Sequence, residues 1–152
     1  MSELRELYQE VILDHSRHPR NLHELPGANR SAEGFNPLCG DKATVYLKIE
    51  DGVVKEASFV GRGCSISTAS ASMMTDIVKG KRLEEVEDLF RRFHGLITAR
   101  ADEARSADPR LGKLAVFAGV CEFPVRVKCA SLAWHTLKAA LAGEDKPVST
   151  EE

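Results

Sequence analysis

The chain is predicted to form one domain that mixes helices with an antiparallel hairpin. Three observations predict it. Apolar residues recur at helical spacing in well-separated stretches, an alternating segment folds back on itself at Asp51-Gly52, and 152 residues suit one core. A domain of this size buries roughly two-thirds of its unfolded surface. Hydrophobic residues make up 43% of the chain and charged residues 29%, so the composition is not that of a disordered protein. No internal repeat or linker divides the sequence. Residues 1–152 are therefore expected to be a single domain, with about 1–143 as ordered core and 144–152 as a frayed tail.

Leu4, Leu7, Tyr8, Val11 and Ile12 share one helical face, predicting a first helix over about 3–16. Pro19 breaks it. His15, His18 and His23 follow as a loose cluster, read as a polar helix end and turn, with a partner-facing or metal-responsive role as the alternative. Residues 26–41 look like a long loop punctuated by Pro26-Gly27, Gly34 and Pro37. Val45, Leu47 and Ile49 alternate on one strand, Asp51-Gly52 supplies the turn, and 53–60 return as the second strand.

Gly61-Arg62-Gly63-Cys64 leads into a helix rich in small residues that Gly80 terminates. Met73 and Met74 in it are read as core filler. Leu83, Val86, Leu89, Phe90 and Phe93 mark another amphipathic helix, ending near His94-Gly95. Residues 96–112 are charged and poorly periodic and look like an insertion or lid outside the core. Leu114, Val116, Phe117 and Val120 resume an apolar, helical run. Phe123-Pro124 interrupts it, and 125–129 lead into the last helix, carried by Leu132, Ala133, Thr136, Leu137, Ala140 and Leu141 and stopped by Gly143.

The bulk numbers exclude several function classes. A net charge of -2 and a pI near 6.2 argue against a general nucleic-acid binder. No stretch reaches the roughly 20 apolar residues that a membrane span requires. The first residues are polar and lack the apolar core of a signal peptide, so a cytoplasmic location is expected. Four cysteines in a reducing compartment favour metal binding or catalysis over a disulfide framework, although no CxxC pair is present.

The chemistry centres on Asn36-Pro37-Leu38-Cys39-Gly40-Asp41, which sets a thiol and a carboxylate two residues apart on a loop. Its bland alternative is a tight turn with an Asx cap. The predicted hairpin brings Cys39 and Cys64 to the same end, and Cys129 arrives at the start of the last helix. Cys39, Asp41, Cys64 and Cys129 are thus read as one metal site at which sulfur chemistry occurs. Cys64 stands just ahead of a serine-rich helix start, where backbone N–H groups and the helix dipole favour a thiolate. Cys121 is read as a buried thiol.

The three segments Asn36-Pro37-Leu38-Cys39-Gly40-Asp41, Gly63-Cys64-Ser65-Ile66-Ser67 and Arg126-Val127-Lys128-Cys129-Ala130 together resemble the SufU branch of the IscU-like iron–sulfur assembly proteins. The resemblance runs from the first helix to about Gly143. It implies an α+β fold, a small antiparallel β-sheet packed against helices, and a Zn²⁺ ion held by Cys39, Asp41, Cys64 and Cys129. It further implies that Cys39 accepts persulfide sulfur from a SufS-type, PLP-dependent cysteine desulfurase, which the protein stimulates as a zinc-dependent sulfurtransferase, and that sulfur passes to downstream SUF cluster-assembly proteins.

The scaffold branch of the same family builds a [2Fe-2S] cluster on equivalent ligands and carries a histidine just before the last cysteine. Here that position is Lys128, and residues 96–112 look like the insertion of the SufU branch. Both features favour sulfur transfer over scaffolding. Arg126 is expected to support the site, and with Lys128 to offset its negative charge.

Overall fold

The computed structural model describes residues 2–37, 40–98, 109–122, 124–143 and 148–149, with side chains for 9–37, 40–98, 111–117 and 125–143. The elements run α1 (Ser2–Arg17), β1 (Arg30–Asn36), β2 (Asp41–Glu50), β3 (Val53–Arg62), α2 (Ser65–Val78) and α3 (Leu83–Thr98). A 3₁₀ segment (Pro109–Glu122), α4 (Pro124–Ala142) and β4 (Val148–Ser149) complete the chain. The fold is α+β, as the motifs imply.

The sheet order is β3-β2-β1-β4, with β1, β2 and β3 antiparallel. Helices α4 and α2 pack against the sheet, α1 lies on α2, and α3 packs against α4 and the 3₁₀ segment. No described helix is long and apolar enough to cross a membrane.

The predicted hairpin is present as β2 and β3. Asp51 (φ 54°) and Gly52 (φ 74°) both take positive φ, as a two-residue turn needs to match the twist of the flanking strands. Val45 and Leu47 are fully buried on the inner face, and Phe59, paired with Val45, joins them. Helix α2 runs over the predicted span, with Lys79 as its C-cap and Gly80 beyond it in the left-handed region (φ 79°). Met73 and Met74 are buried in the core.

Five sequence expectations change. Within the expected loop 26–41, residues 30–36 form strand β1. Its inward positions are Ala32, Gly34 and Asn36, too small or too polar to give the apolar alternation by which strands are recognised. Helix α3 continues past Gly95 to Thr98, because Leu96 and Ile97 are buried on the same face as Phe93.

The span 96–112 is for the same reason not wholly outside the core. Leu96, Ile97 and Leu111 belong to the central cluster, while 99–108 lie outside the described residues. The approach 125–129 is already helical, since Pro124 starts α4 at the position where a missing N–H costs nothing. Finally, two residues of the expected frayed tail, Val148 and Ser149, pair in parallel with Gly34 and Phe35 of β1.

Trp134 of α4 stacks on Phe93 of α3 at 4.7 Å, and Phe93 meets Phe117 of the 3₁₀ segment edge-to-face at 5.6 Å. These rings lock α4, and with it Cys129, against the rest of the core. At β1 the approach is closer still. A Cβ at Gly34 would lie 2.0 Å from Thr136 Oγ1, so only glycine lets α4 sit this near the sheet.

Candidate metal centre

Three elements meet at one end of the β2–β3 hairpin, and each delivers a donor. Asp41 is the first residue of β2, Cys64 is the N-cap of α2, and Cys129 lies in the second turn of α4. One ligand atom from each of Asp41, Cys64 and Cys129 lies within 4.8 Å of the others. Asp41 and Cys129 are buried and Cys64 is exposed, so the cluster opens to solvent on the Cys64 side.

Local sequence explains the placement. Gly40 takes φ 73°, and its N–H donates to the Asn36 carbonyl at 2.8 Å, closing the turn from β1 into β2. Asp41 pairs with Asn36 across that turn. The Cys64 N–H donates to Asp41 Oδ1 at 3.0 Å, and Cys64 Sγ is 3.9 Å from Asp41 Oδ2. A side chain at Gly63 would meet Asp41 Oδ1 at 2.8 Å, so the glycine is what allows the carboxylate to brace the β3–α2 junction.

Cys64 accepts the Ser67 N–H at 3.4 Å, a helix cap made with sulfur in place of the usual oxygen. Cys129 is held from two sides. The amide of buried Asn36 approaches its Sγ at 3.9 Å, and Ser70 of α2 donates to the neighbouring Ala130 carbonyl at 2.6 Å.

Of the four predicted ligands, the structure brings together Asp41, Cys64 and Cys129. Cys39 lies outside the described residues, as does the side chain of Cys121. Arg126 is exposed and Lys128 half-buried, both in the first turns of α4 ahead of Cys129.

The histidine cluster separates. His18 and His23 are exposed, whereas His15 is buried and its Nδ1 lies 2.7 Å from Ser72 Oγ, which also accepts the Arg20 N–H at 2.8 Å. Burial and then the nearby Arg20 push the His15 imidazole below its ordinary range. Its role is to dock α1 on α2. A polar helix end gave no signal of this, although Ser72 on the small-residue face of α2 is the partner that would have revealed it.

Residues 7–130 match the family model of the NifU-like N-terminal domain. The chain belongs to that family. It is 39% identical over 141 residues to the iron-sulfur cluster assembly scaffold protein IscU of Streptococcus pyogenes serotype M1, covering 93% of this chain and 86% of that one. It is 38% identical over 144 residues to the zinc-dependent sulfurtransferase SufU of Bacillus subtilis (strain 168), covering 95% of each. Among solved structures, the crystal structure of a hypothetical protein at 2.3 Å superposes with a TM-score of 0.82 at 39% identity, covering 90% of this chain and 98% of that one. The family thus joins proteins named for scaffolding with one named for sulfur transfer, and this chain resembles both to nearly the same degree.

Proposed function

We propose that this protein is a zinc-dependent sulfur acceptor. It takes persulfide sulfur from a SufS-type, PLP-dependent cysteine desulfurase, stimulates that enzyme, and passes the sulfur to downstream SUF cluster-assembly proteins in the cytoplasm. The observation that carries this reading is the convergence of the Asp41, Cys64 and Cys129 donors within 4.8 Å. Thiolate and carboxylate donors around a tetrahedral zinc stand about 3.5–3.8 Å apart, so these three need close by only about 1 Å. The donor set itself, two sulfurs and a carboxylate, suits zinc. Cys39 precedes Asp41 by two residues, and the covalent chain alone limits their Cα separation to about 7 Å. It is the proposed fourth ligand, and residues 1–152 are proposed to act as one domain.

Zinc bound here would keep the thiols ionised and, having no redox chemistry of its own, shield them from oxidation. The transfer step belongs to Cys39. Its thiolate attacks the outer sulfur of the desulfurase persulfide, a new S–S bond forms on Cys39, the donor's S–S bond breaks, and the desulfurase cysteine leaves as a thiolate. Meanwhile Asp41, braced by the Cys64 N–H, keeps the remaining donors in register. Arg126 is positioned on the exposed start of α4 to offset negative charge as the persulfide approaches. Lys128, where the scaffold branch carries a histidine, favours transfer over cluster assembly.

A second reading is favoured by the IscU name of the Streptococcus relative: a scaffold assembling a [2Fe-2S] cluster on the same ligands. Desulfurase turnover separates the two, measured with zinc-loaded wild type and zinc-loaded Cys39→Ala. Stimulation by wild type alone supports the sulfur carrier. Equal stimulation by both makes the protein a regulator with a structural metal. No stimulation by either, together with a stable cluster after anaerobic reconstitution, establishes the scaffold.

A further inference from the structure

Away from the metal centre, α3 and α4 also meet through Phe90 and His94 on one side and His135 and Lys138 on the other. Phe90 and His94 stand one turn apart on α3 and so share a face, and their rings lie parallel with centroids 6.0 Å apart. His135 is steeply inclined to both, 5.4 Å from Phe90 and 5.8 Å from His94. His94 is exposed and His135 half-buried, which puts the pair within reach of solvent.

The packing leaves the nitrogens of both imidazoles uncommitted. Among the described residues neither ring makes a hydrogen bond, whereas His15 is bonded to Ser72 and His23 to the Glu24 carbonyl. Burial pushes the His135 imidazole below its ordinary range, and His94 and Lys138 act in the same direction. A proton therefore competes less well for this ring, and the neutral form is the one that ligates metals.

The spacing suits a shared ion. An imidazole nitrogen binds zinc at about 2.0–2.1 Å, so two imidazoles on one tetrahedral ion hold their centroids roughly 5 Å apart. His94 and His135 are already at 5.8 Å. Bringing a nitrogen of each towards a common point needs a small closure and a turn of His94 about χ2, a soft torsion in histidine. Zinc, nickel and copper are the divalent ions that imidazole suits.

We propose that His94 and His135 together bind one imidazole-preferring divalent transition ion across the α3–α4 contact, with water in its remaining positions. The site is distinct from the sulfur-bearing centre. Cys129 precedes His135 by six residues on α4, which sets the two about 120° apart around the helix. Nothing in the proposal rests on the sulfur-carrier reading.

The test is titration of the full chain with Ni²⁺ at pH 7.5, after one equivalent of zinc, followed by the ¹H–¹³C ring signals of the histidines. Paramagnetic Ni²⁺ is expected to broaden His94 and His135 together and saturably, ahead of exposed His18 and His23. These signals report on the pair itself, so a failure of zinc to bind at Asp41, Cys64 and Cys129 is read separately. By equilibrium dialysis, His94→Gln and His135→Gln should each weaken the site about tenfold or more, while His18→Gln leaves it unchanged. Binding should also raise the Tm of the wild type and not that of His94→Gln. Weakening in only one of the two variants would assign a single imidazole and overturn the shared site. Broadening of all exposed histidines in parallel, or none at His94 and His135 below about 1 mM Ni²⁺, would overturn it too. Thermal melts without metal identify a variant that fails to fold, and the wild-type ring signals then decide alone.

Discussion

Replacing Gly34 by alanine should loosen the contact that carries Cys129 to the candidate metal centre. The added Cβ would lie 2.0 Å from Thr136 Oγ1, 3.2 Å from Leu132 Cδ1 and 3.3 Å from Thr136 Cβ. Rotating Thr136 relieves the first clash, but it gives up the bond from Thr136 Oγ1 to the Leu132 carbonyl at 2.8 Å, worth about 1 kcal/mol. The other two contacts remain, so α4 must move outward by a few tenths of an ångström, and overpacking of this kind costs about 1–3 kcal/mol. Against this, alanine is favoured over glycine in a strand by roughly 0.5 kcal/mol.

The net expectation is a loss of about 2 kcal/mol, or a fall in Tm of about 4–8 °C for a domain of this size. Urea unfolding followed by circular dichroism measures it. Adding Thr136→Ala should recover about 1 kcal/mol through a favourable coupling term. A neutral single variant, or strictly additive effects in the pair, would refute the view that α4 rests directly on the β1 backbone.

Two further predictions concern titration and metal. Burial and Arg20 lower the proton affinity of His15 in the folded protein, with Lys113 acting the same way and Asp14 and Asp76 opposing, so the unfolded chain binds the proton more readily. Stability should then be fully present above the unfolded value of 6.5 and decline as pH falls below it. His15→Gln, which keeps a partner for Ser72, should flatten urea midpoints between pH 7 and 5. Part of the slope survives, because burial lowers His135 in the same direction; an unchanged pH profile would remove His15 from this role. For the metal, Cys64→Ala and Cys129→Ala should each weaken zinc binding by about a hundredfold or more in competition with a chromophoric chelator, and Asp41→Ala by less, as a harder donor. Wild-type affinity in either cysteine variant would show that the ion binds elsewhere.

Much of this was legible in the amino-acid order because it depends on local chemistry. The β2–β3 hairpin is written in the alternation of Val45, Leu47 and Ile49 and in a turn pair suited to positive φ. The meeting of Asp41 with Cys64 follows from that hairpin, since both stand at its open end. Strand β1 escaped because its inward face is Ala32, Gly34 and Asn36, residues chosen for the closeness of α4 and not for hydrophobicity. Similarly, Leu111 lies beyond a charged stretch, and only the tertiary packing of α3 and the 3₁₀ segment draws it into the core. The burial of His15 depends on Ser72, 57 residues away, and the like-charged pair Lys42 and Arg62 emerges only from strand register. Such features reside in pairings between distant segments, which no window along the chain contains.

The bond between the Cys64 N–H and Asp41 Oδ1 bears on how ligands would exchange at the centre. It ties the start of one strand to the start of a helix before any ion arrives, while Trp134 and Phe93 fix the helix bearing the third donor. Three donors therefore stand on a frame whose ordering entropy is already met by folding. With an ion bound as proposed, a fourth position would change hands without the other three dispersing. Exchange at such a tripod would be governed by the lifetime of one coordinate bond, and not by the opening of the domain.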